Sequence, residues 1–485
     1  MEAPVVGGVI QNRKLALGLY TGLSLVAIPV FFWVILLRSA SLVNRGVVFL
    51  GAFPAFLLAV AFFSLVGCWK NDKGFMFLLV AVPASVAFSL FILPGHVPDE
   101  GPHIWQVAAA FTRSASGFPV PNAYLEANLP ASYGDAYKAL LAAPAWGSTF
   151  MCSRYLGSLS IVYLVPSAAI SLFRLLNLNE YAALFAARML NAIFYVSVAY
   201  ILIKAIPIGK TLLLVYCLNP ILIQQQASCS ADAATNIAAL AYIVALVRAC
   251  AAITVSRRDW VVLGALCFLN CIFKSFAYAP LTLLMLLLLK RNSARWKVQW
   301  IAMGIAIALG SIALIAVYRG SFMAEGFELL RTPLFFVQVV IKSIWEMMPF
   351  WGESFGGHDL GALSINTWYP CFWAYLILLA LAVACCDDAG EVHFDLPDKV
   401  LVFLVVFANF LVVLLSMRGW TLQVDKRSDI IMGVQGRYFF PLILPMLLVL
   451  TKEDKREFAN SLSLYSAVCM AVIFLIDLYC IYISF

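Results

Sequence analysis

A chain of 485 residues that is 64% apolar and 12% charged, with a mean hydropathy of +0.95, falls outside the soluble globular class, in which charged residues make up about 25%. It reads as an all-α polytopic membrane protein forming one transmembrane domain over 1–485. The net charge of +7 is not a nucleic-acid footprint, because the Lys and Arg are scattered between apolar runs, where they set topology. Twelve cysteines without a C-x-x-C pair read as small buried residues rather than as metal or redox centres.

In chain order, Arg13-Lys14 precede a first apolar run at 15–37. No small-residue cleavage motif ends that run, so it is read as a span and not as a removable signal. Further spans are read at 47–68 and 75–94. Pro98-Asp99-Glu100-Gly101-Pro102-His103 follows the third of them. Acids at that depth are costly unless they serve a site. Asp99 or Glu100 suits the task of a general base; the bland reading is a solvated pair that caps a helix starting near His103. His103 suits a carboxylate, a phosphate or a metal, but the spacing shows no set of three or four converging zinc ligands.

The polar stretch 95–180 is read as a large external loop. Within it, 157–174 is apolar enough to span, yet Pro166 interrupts it and Arg174 closes it. If it does not span, the clusters Lys70/Lys73, Lys204/Lys210, Arg257/Arg258, Lys290/Arg291 and Lys452/Lys455 all lie on one side, as the positive-inside rule requires. It is therefore read as an interfacial helix.

Spans follow at 181–203, 211–226 and 233–252. Arg188 lies near the start of the first of these, and reads as a phosphate ligand or an interfacial anchor. Between the second and third runs Gln224-Gln-Gln-Ala-Ser-Cys-Ser-Ala-Asp232, with Asn236 one turn on, so that Asp232 and Asn236 share a helix face. Ser230 is the expected cap of that helix. The short runs 260–273 and 277–289 are read as a helical hairpin turning near Lys274, a cation that faces a counter-ion or snorkels to the surface. A span at 299–318, a second external loop at 319–368 and spans at 369–386, 399–416, 437–451 and 459–484 complete the chain. Gln435-Gly436-Arg437-Tyr438 opens the 437–451 span; guanidinium matches phosphate bidentately, and an Arg-Tyr interface anchor is the bland alternative. The sum is about thirteen spans, an inner N-terminus, an outer C-terminus, and the polar motifs gathered on the outer face.

Pro98-Asp-Glu-x-x-His103, Arg188-x-x-Asn191, Ser230-Ala-Asp232-x-x-x-Asn236, Lys274-x-x-x-Tyr278-x-Pro280 and Gly433-Val-Gln-Gly-Arg-Tyr438 occur here in that order. In this the chain resembles, over roughly 75–455, a family of bacterial multi-pass membrane proteins of unassigned function that looks like a branch of the GT-C glycosyltransferases. The resemblance implies a GT-C-like fold with interfacial helices in the first external loop. It also implies transfer of a sugar from a polyprenyl-phosphate donor to an extracytoplasmic glycan or lipid-linked acceptor at the bacterial inner membrane. Carried over by position, Asp99 is the base, with Glu100 as its alternative, its orienting partner or a co-ligand of a divalent cation. Lys274 and Arg437 are phosphate clamps, Arg188 a further candidate and Asp232 a second acid. His103, Asn236, Tyr278, Gln435 and Tyr438 are substrate-side neighbours. No other cofactor and no nucleic acid is implied. This chain departs from the family in reading Asp99-Glu-Gly-Pro-His103 where Asp-Glu-Pro-Ala-His is usual. It also has two spans before the one leading to the acidic loop, and no soluble domain after the last span. A transporter, flippase or polymerase of lipid-linked glycan is the competing class; a transporter would carry its charges at mid-span in a symmetric layout.

Overall fold

The computed structural model describes residues 13–40, 45–67, 71–111, 117–152, 160–288, 326, 328–384, 392–425, 429–451 and 456–485. The protein is an all-α membrane protein. In chain order the helices are α1 Arg13–Ser39, α2 Arg45–Val66, α3 Lys73–Phe91, α4 Glu100–Ala109, α5 Tyr133–Leu141, α6 Leu164–Leu175, α7 Glu180–Ala205, α8 Lys210–Cys217, α9 Pro220–Gln226, α10 Ala231–Ala251 and α11 Arg257–Ile272. After 3-10 turns at 273–276 and 279–288 come α12 Pro333–Gly356, α13 Tyr369–Ala384, α14 Leu396–Ser416, α15 Arg418–Val424, α16 Phe440–Leu450 and α17 Arg456–Ser484. Seven described helices are long and apolar enough to cross a membrane.

Local chemistry sets the helix starts. Side-chain oxygens of Asp72, Asn179, Ser230, Ser256 and Asp395 accept from backbone N–H groups that the first turn leaves unpaired. Helix α3 is buried around almost its whole circumference and packs on α1, α7 and α17. The bundle has two ends. At one, Asp72 meets Lys204 at 2.9 Å. At the other, α3 gives way to α4, and the ring of C-terminal Phe485 lies against His96 and Tyr133. A second, smaller core sits at this Asp99 end, where α4, α6 and the start of α7 enclose Ile104, Phe118, Tyr124 and Tyr163. There β1 (Phe118–Pro121) pairs antiparallel with β2 (Thr149–Cys152).

Three sequence expectations need correction, one holds, and one lies outside the described residues. The run 211–226 is not one span: it breaks into α8 and α9 where Asn219 caps a new helix that begins with Pro220, a residue suited to a first turn because it has no N–H to lose. The chain does turn at Lys274, but the second arm of that hairpin is 3-10 rather than α. The reading of 157–174 as a segment that does not span agrees with its described part, which holds a helix of only 12 residues, α6, too short to cross a core of about 30 Å at 1.5 Å per residue. The 319–368 stretch, read as a second external loop, is mostly helix in its described part, filled by α12. Lys342 and Ser343 of α12 contact Asp429 and Ile431, and Trp351 and Ser354 bond Val434 and Gly436. The helix thus runs beside the connection that ends at Arg437. The span at 299–318 lies outside the described residues.

Candidate functional site

The adjacent acids Asp99 and Glu100 point apart. Asp99 adopts a left-handed backbone with φ 61°, which Asp tolerates better than most residues. This turns its side chain away from α4, so it makes no capping bond there. Glu100 faces inward. Its carboxylate lies 3.2 Å from Arg188 Nε, with both side chains fully buried. It also accepts from Gly95 N at 2.9 Å and Cys229 N at 3.0 Å. Arg188 in turn donates to the Ala227 and Ile92 carbonyls. Every strong interaction of Glu100 is therefore spent on joining α3, α4, α7 and the α9–α10 junction.

Asp99 belongs to a different cluster. The Arg437 guanidinium pairs with the Asp99 carboxylate and donates to Pro98 O at 2.8 Å. Arg437 Nε lies 3.3 Å from Asp232 Oδ2, and Asp232 pairs through its other oxygen with Lys274. Lys274 Nζ also sits 3.6 Å from the centre of the Tyr438 ring, a cation–π contact. Two acids and two cations from four distant chain segments thus form one charge-balanced quartet. Arg437 and Asp232 are buried, whereas the Asp99 side chain is 58% exposed and that of Lys274 27% exposed. Burial and the nearby Asp232 would raise the Asp99 carboxyl, but Arg437 and, more weakly, His103 and Lys274 outweigh them and hold it below the ordinary carboxylate range. Lys274, like Asp99, has positive φ (44°). Left-handed non-glycine residues cost roughly 1–3 kcal/mol and gather at functional sites.

The surroundings fix this quartet. Tyr278 Oη donates to Tyr438 O at 2.9 Å. A Cβ at residue 436 would lie 2.3 Å from Trp351 O and from Phe355 N, so glycine alone lets the Arg437 segment lie against α12. Ser228 and Ser230 shape the turn into α10. Gln225 Oε1 lies 3.5 Å from Arg437 Nη1. The buried amides of Gln225 and Asn236 and the Gln435 carbonyl keep polar atoms without a hydrogen-bond partner, in a region where such atoms are expected to meet water or a ligand.

His103 lies one turn into α4 and its Nδ1 is 2.6 Å from Tyr163 Oη. Burial pushes its imidazole down to about 4, against the opposing pull of Asp232 and Asp99. An unfolded chain would titrate this group near 6.5. The unfolded state therefore binds the proton first, and stability is full above about pH 6.5 and falls as the pH drops towards 4, by up to roughly 2 kcal/mol at pH 5. Thermal unfolding of the detergent-solubilised protein between pH 7 and 5 should show that slope, and His103→Gln should flatten it.

The structure brings Asp99, Asp232, Lys274, Arg437, Tyr438 and His103 together. It places Asn236 one helical turn below Asp232, and Gln435 and Tyr278 behind Arg437. It removes Glu100 and Arg188 from the reachable group, since both are enclosed and paired with each other. The divalent-cation expectation at Asp99/Glu100 does not fit. The two carboxylates face different cations, and among the described residues no three His, Cys, Asp or Glu are grouped to hold a metal. Sequence reasoning missed Tyr163, and it singled out Gln225 only as part of the Gln224–Asn236 stretch. A run of three glutamines closing an apolar stretch was a usable signal for Gln225; Tyr163 carried none.

A model of one protein family, described as "Predicted membrane protein (DUF2142)", matches residues 137–446. No curated protein and no solved structure matches the chain.

Proposed function

We propose that this chain, which belongs to the DUF2142 family of membrane proteins, transfers a sugar from a polyprenyl-phosphate donor to a glycan or lipid-linked acceptor, with Asp99 as general base. One observation carries the reading: a reachable carboxylate, Asp99, is paired with Arg437 in a cluster that also holds Lys274 through Asp232, at the end of the bundle where helices begin and stop. In the reaction an acceptor hydroxyl oxygen forms a bond to the anomeric carbon. The bond from that carbon to the phosphate oxygen breaks, and its electron pair leaves on the phosphate. The hydroxyl proton passes to the Asp99 carboxylate. Lys274 and Arg437 stabilise the charge that grows on the phosphate, and attack opposite the leaving group inverts the anomeric centre. The depressed Asp99 carboxyl is ionised at neutral pH, as a base must be. Its pairing with Arg437 aims it.

The resemblance of the ordered motifs to GT-C enzymes supports the same reading. So does the placement of Lys73 and Lys204 at the opposite end of the bundle, which favours an outward-facing site at the bacterial inner membrane. A transporter is less well supported, because the quartet lies at one end rather than at mid-span.

The test is donor affinity. Lys274→Ala and Arg437→Ala should each weaken binding of a radiolabelled polyprenyl-phosphate sugar, by about the 1.5–3 kcal/mol typical of a charge-assisted bond. Arg437→Lys should recover only part, since the planar fork is gone. Wild-type affinity in correctly folded Lys274→Ala and Arg437→Ala would remove the clamp.

A further inference from the structure

A cleft of about 490 Å³ runs between α1, α2, α3 and α17, away from the quartet. Its size is that of pockets that enclose small ligands (about 300–1,000 Å³). Its lining is apolar except for tyrosine hydroxyls and one charge, Arg38. Arg38 is exposed at the last turn of α1, and among the described residues it forms no ion pair. Tyr482 lines the cleft at the same end and stacks on Tyr133. At the deep end lies Tyr20, whose hydroxyl is already committed to Leu79 O at 2.7 Å.

The cleft is separate from the quartet. Phe91 lines it, whereas the next carbonyl, Ile92 O, accepts from Arg188. The buried Glu100–Arg188 pair thus stands between the two regions. From Tyr20 to Arg38 helix α1 rises about 27 Å at 1.5 Å per residue. That is close to the full hydrocarbon thickness of about 30 Å, and nearly twice the depth of one leaflet. An occupant that fills the cleft needs a chain longer than a leaflet is deep, and an anion at its head.

We propose that this cleft is a second lipid site, which holds the hydrocarbon chain of a polyisoprenyl phosphate with the phosphate against Arg38. The site goes beyond the sugar-transfer reading, and its occupancy is measured without any reaction. The apolar wall takes the chain, and the lone guanidinium takes the phosphate bidentately.

The experiment uses the full chain in detergent micelles and undecaprenyl phosphate carrying a diazirine near the phosphate end, with adducts mapped by peptide mass. Adducts are expected on α1 and α17 near Arg38 and Tyr482. Unlabelled undecaprenyl phosphate should compete at least tenfold better than undecaprenol or dioleoyl phosphatidylglycerol. Arg38→Gln, at an exposed position, should cut the yield about tenfold, and Ala84→Phe, which narrows the wall, should cut it too. Adducts confined to the quartet around Lys274 and Arg437, with none on α1 or α17, would overturn the site. An unchanged yield in Arg38→Gln would overturn the headgroup contact, and equal competition by phosphatidylglycerol would overturn the long-chain assignment.

Discussion

Asp99→Asn is expected to lower sugar transfer by about 10²–10⁴-fold, the usual loss when a general base is removed, while donor binding survives. The amide keeps the size of the side chain and can still accept a bond from Arg437. It cannot take the acceptor proton. The carboxylate is reachable and lies outside the helical cap, so the variant should fold. Transfer is measured in membranes at matched expression with radiolabelled polyprenyl-phosphate sugar. Normal turnover in Asp99→Asn would rule out catalysis by this carboxylate. The rate should show no loss from this group until the pH falls below the ordinary carboxylate range, because Arg437 holds Asp99 ionised there.

Glu100→Gln should act through a different property, folding. The substitution leaves the Arg188 guanidinium buried with no counter-charge, and breaking one side of a buried pair costs about 3–5 kcal/mol. The expected outcome is low yield and early thermal unfolding in detergent. Arg188→Met should fail in the same way. The double variant Glu100→Leu/Arg188→Met should recover part of the loss, since no charge is then stranded, although Gly95 N and Cys229 N lose their acceptor. A Glu100→Gln protein with wild-type stability and no transfer would return Glu100 to catalysis.

These two neighbours show what the sequence made legible. Hydropathy and charge placement gave the membrane class and most helices, because apolar length and capping residues act locally. Asp99, Asp232, Lys274 and Arg437 stood out because charge at a helix mouth is costly without a partner. Which partner each takes was not visible. Glu100 and Asp99 are adjacent acids that the left-handed backbone at Asp99 sends apart, and the partners that take them, Arg188 and Cys229 for one and Arg437 for the other, are remote in sequence. The α8–α9 break was readable in Asn219-Pro220, yet apolar continuity masked it. The length of α12 was hidden because its polar residues meet 429–436 while its other face stays apolar.

The sequence spacing of the quartet also bears on how the protein is made. Asp232 and Lys274 are 42 residues apart, so that pair can close once one helical hairpin is inserted. Asp99 and Arg437 are 338 residues apart. At a synthesis rate of about 5–20 residues per second, the acid waits roughly 17–70 s for its guanidinium to be translated. Through that interval Glu100 can already meet Arg188, but Asp99 has no Arg437 to pair with, and the Arg437 turn closes the structure late. The stretch around Arg437 is then a completion step in biogenesis. A chain arrested shortly before it would hold most of its helices and still lack the contact that fixes Asp99.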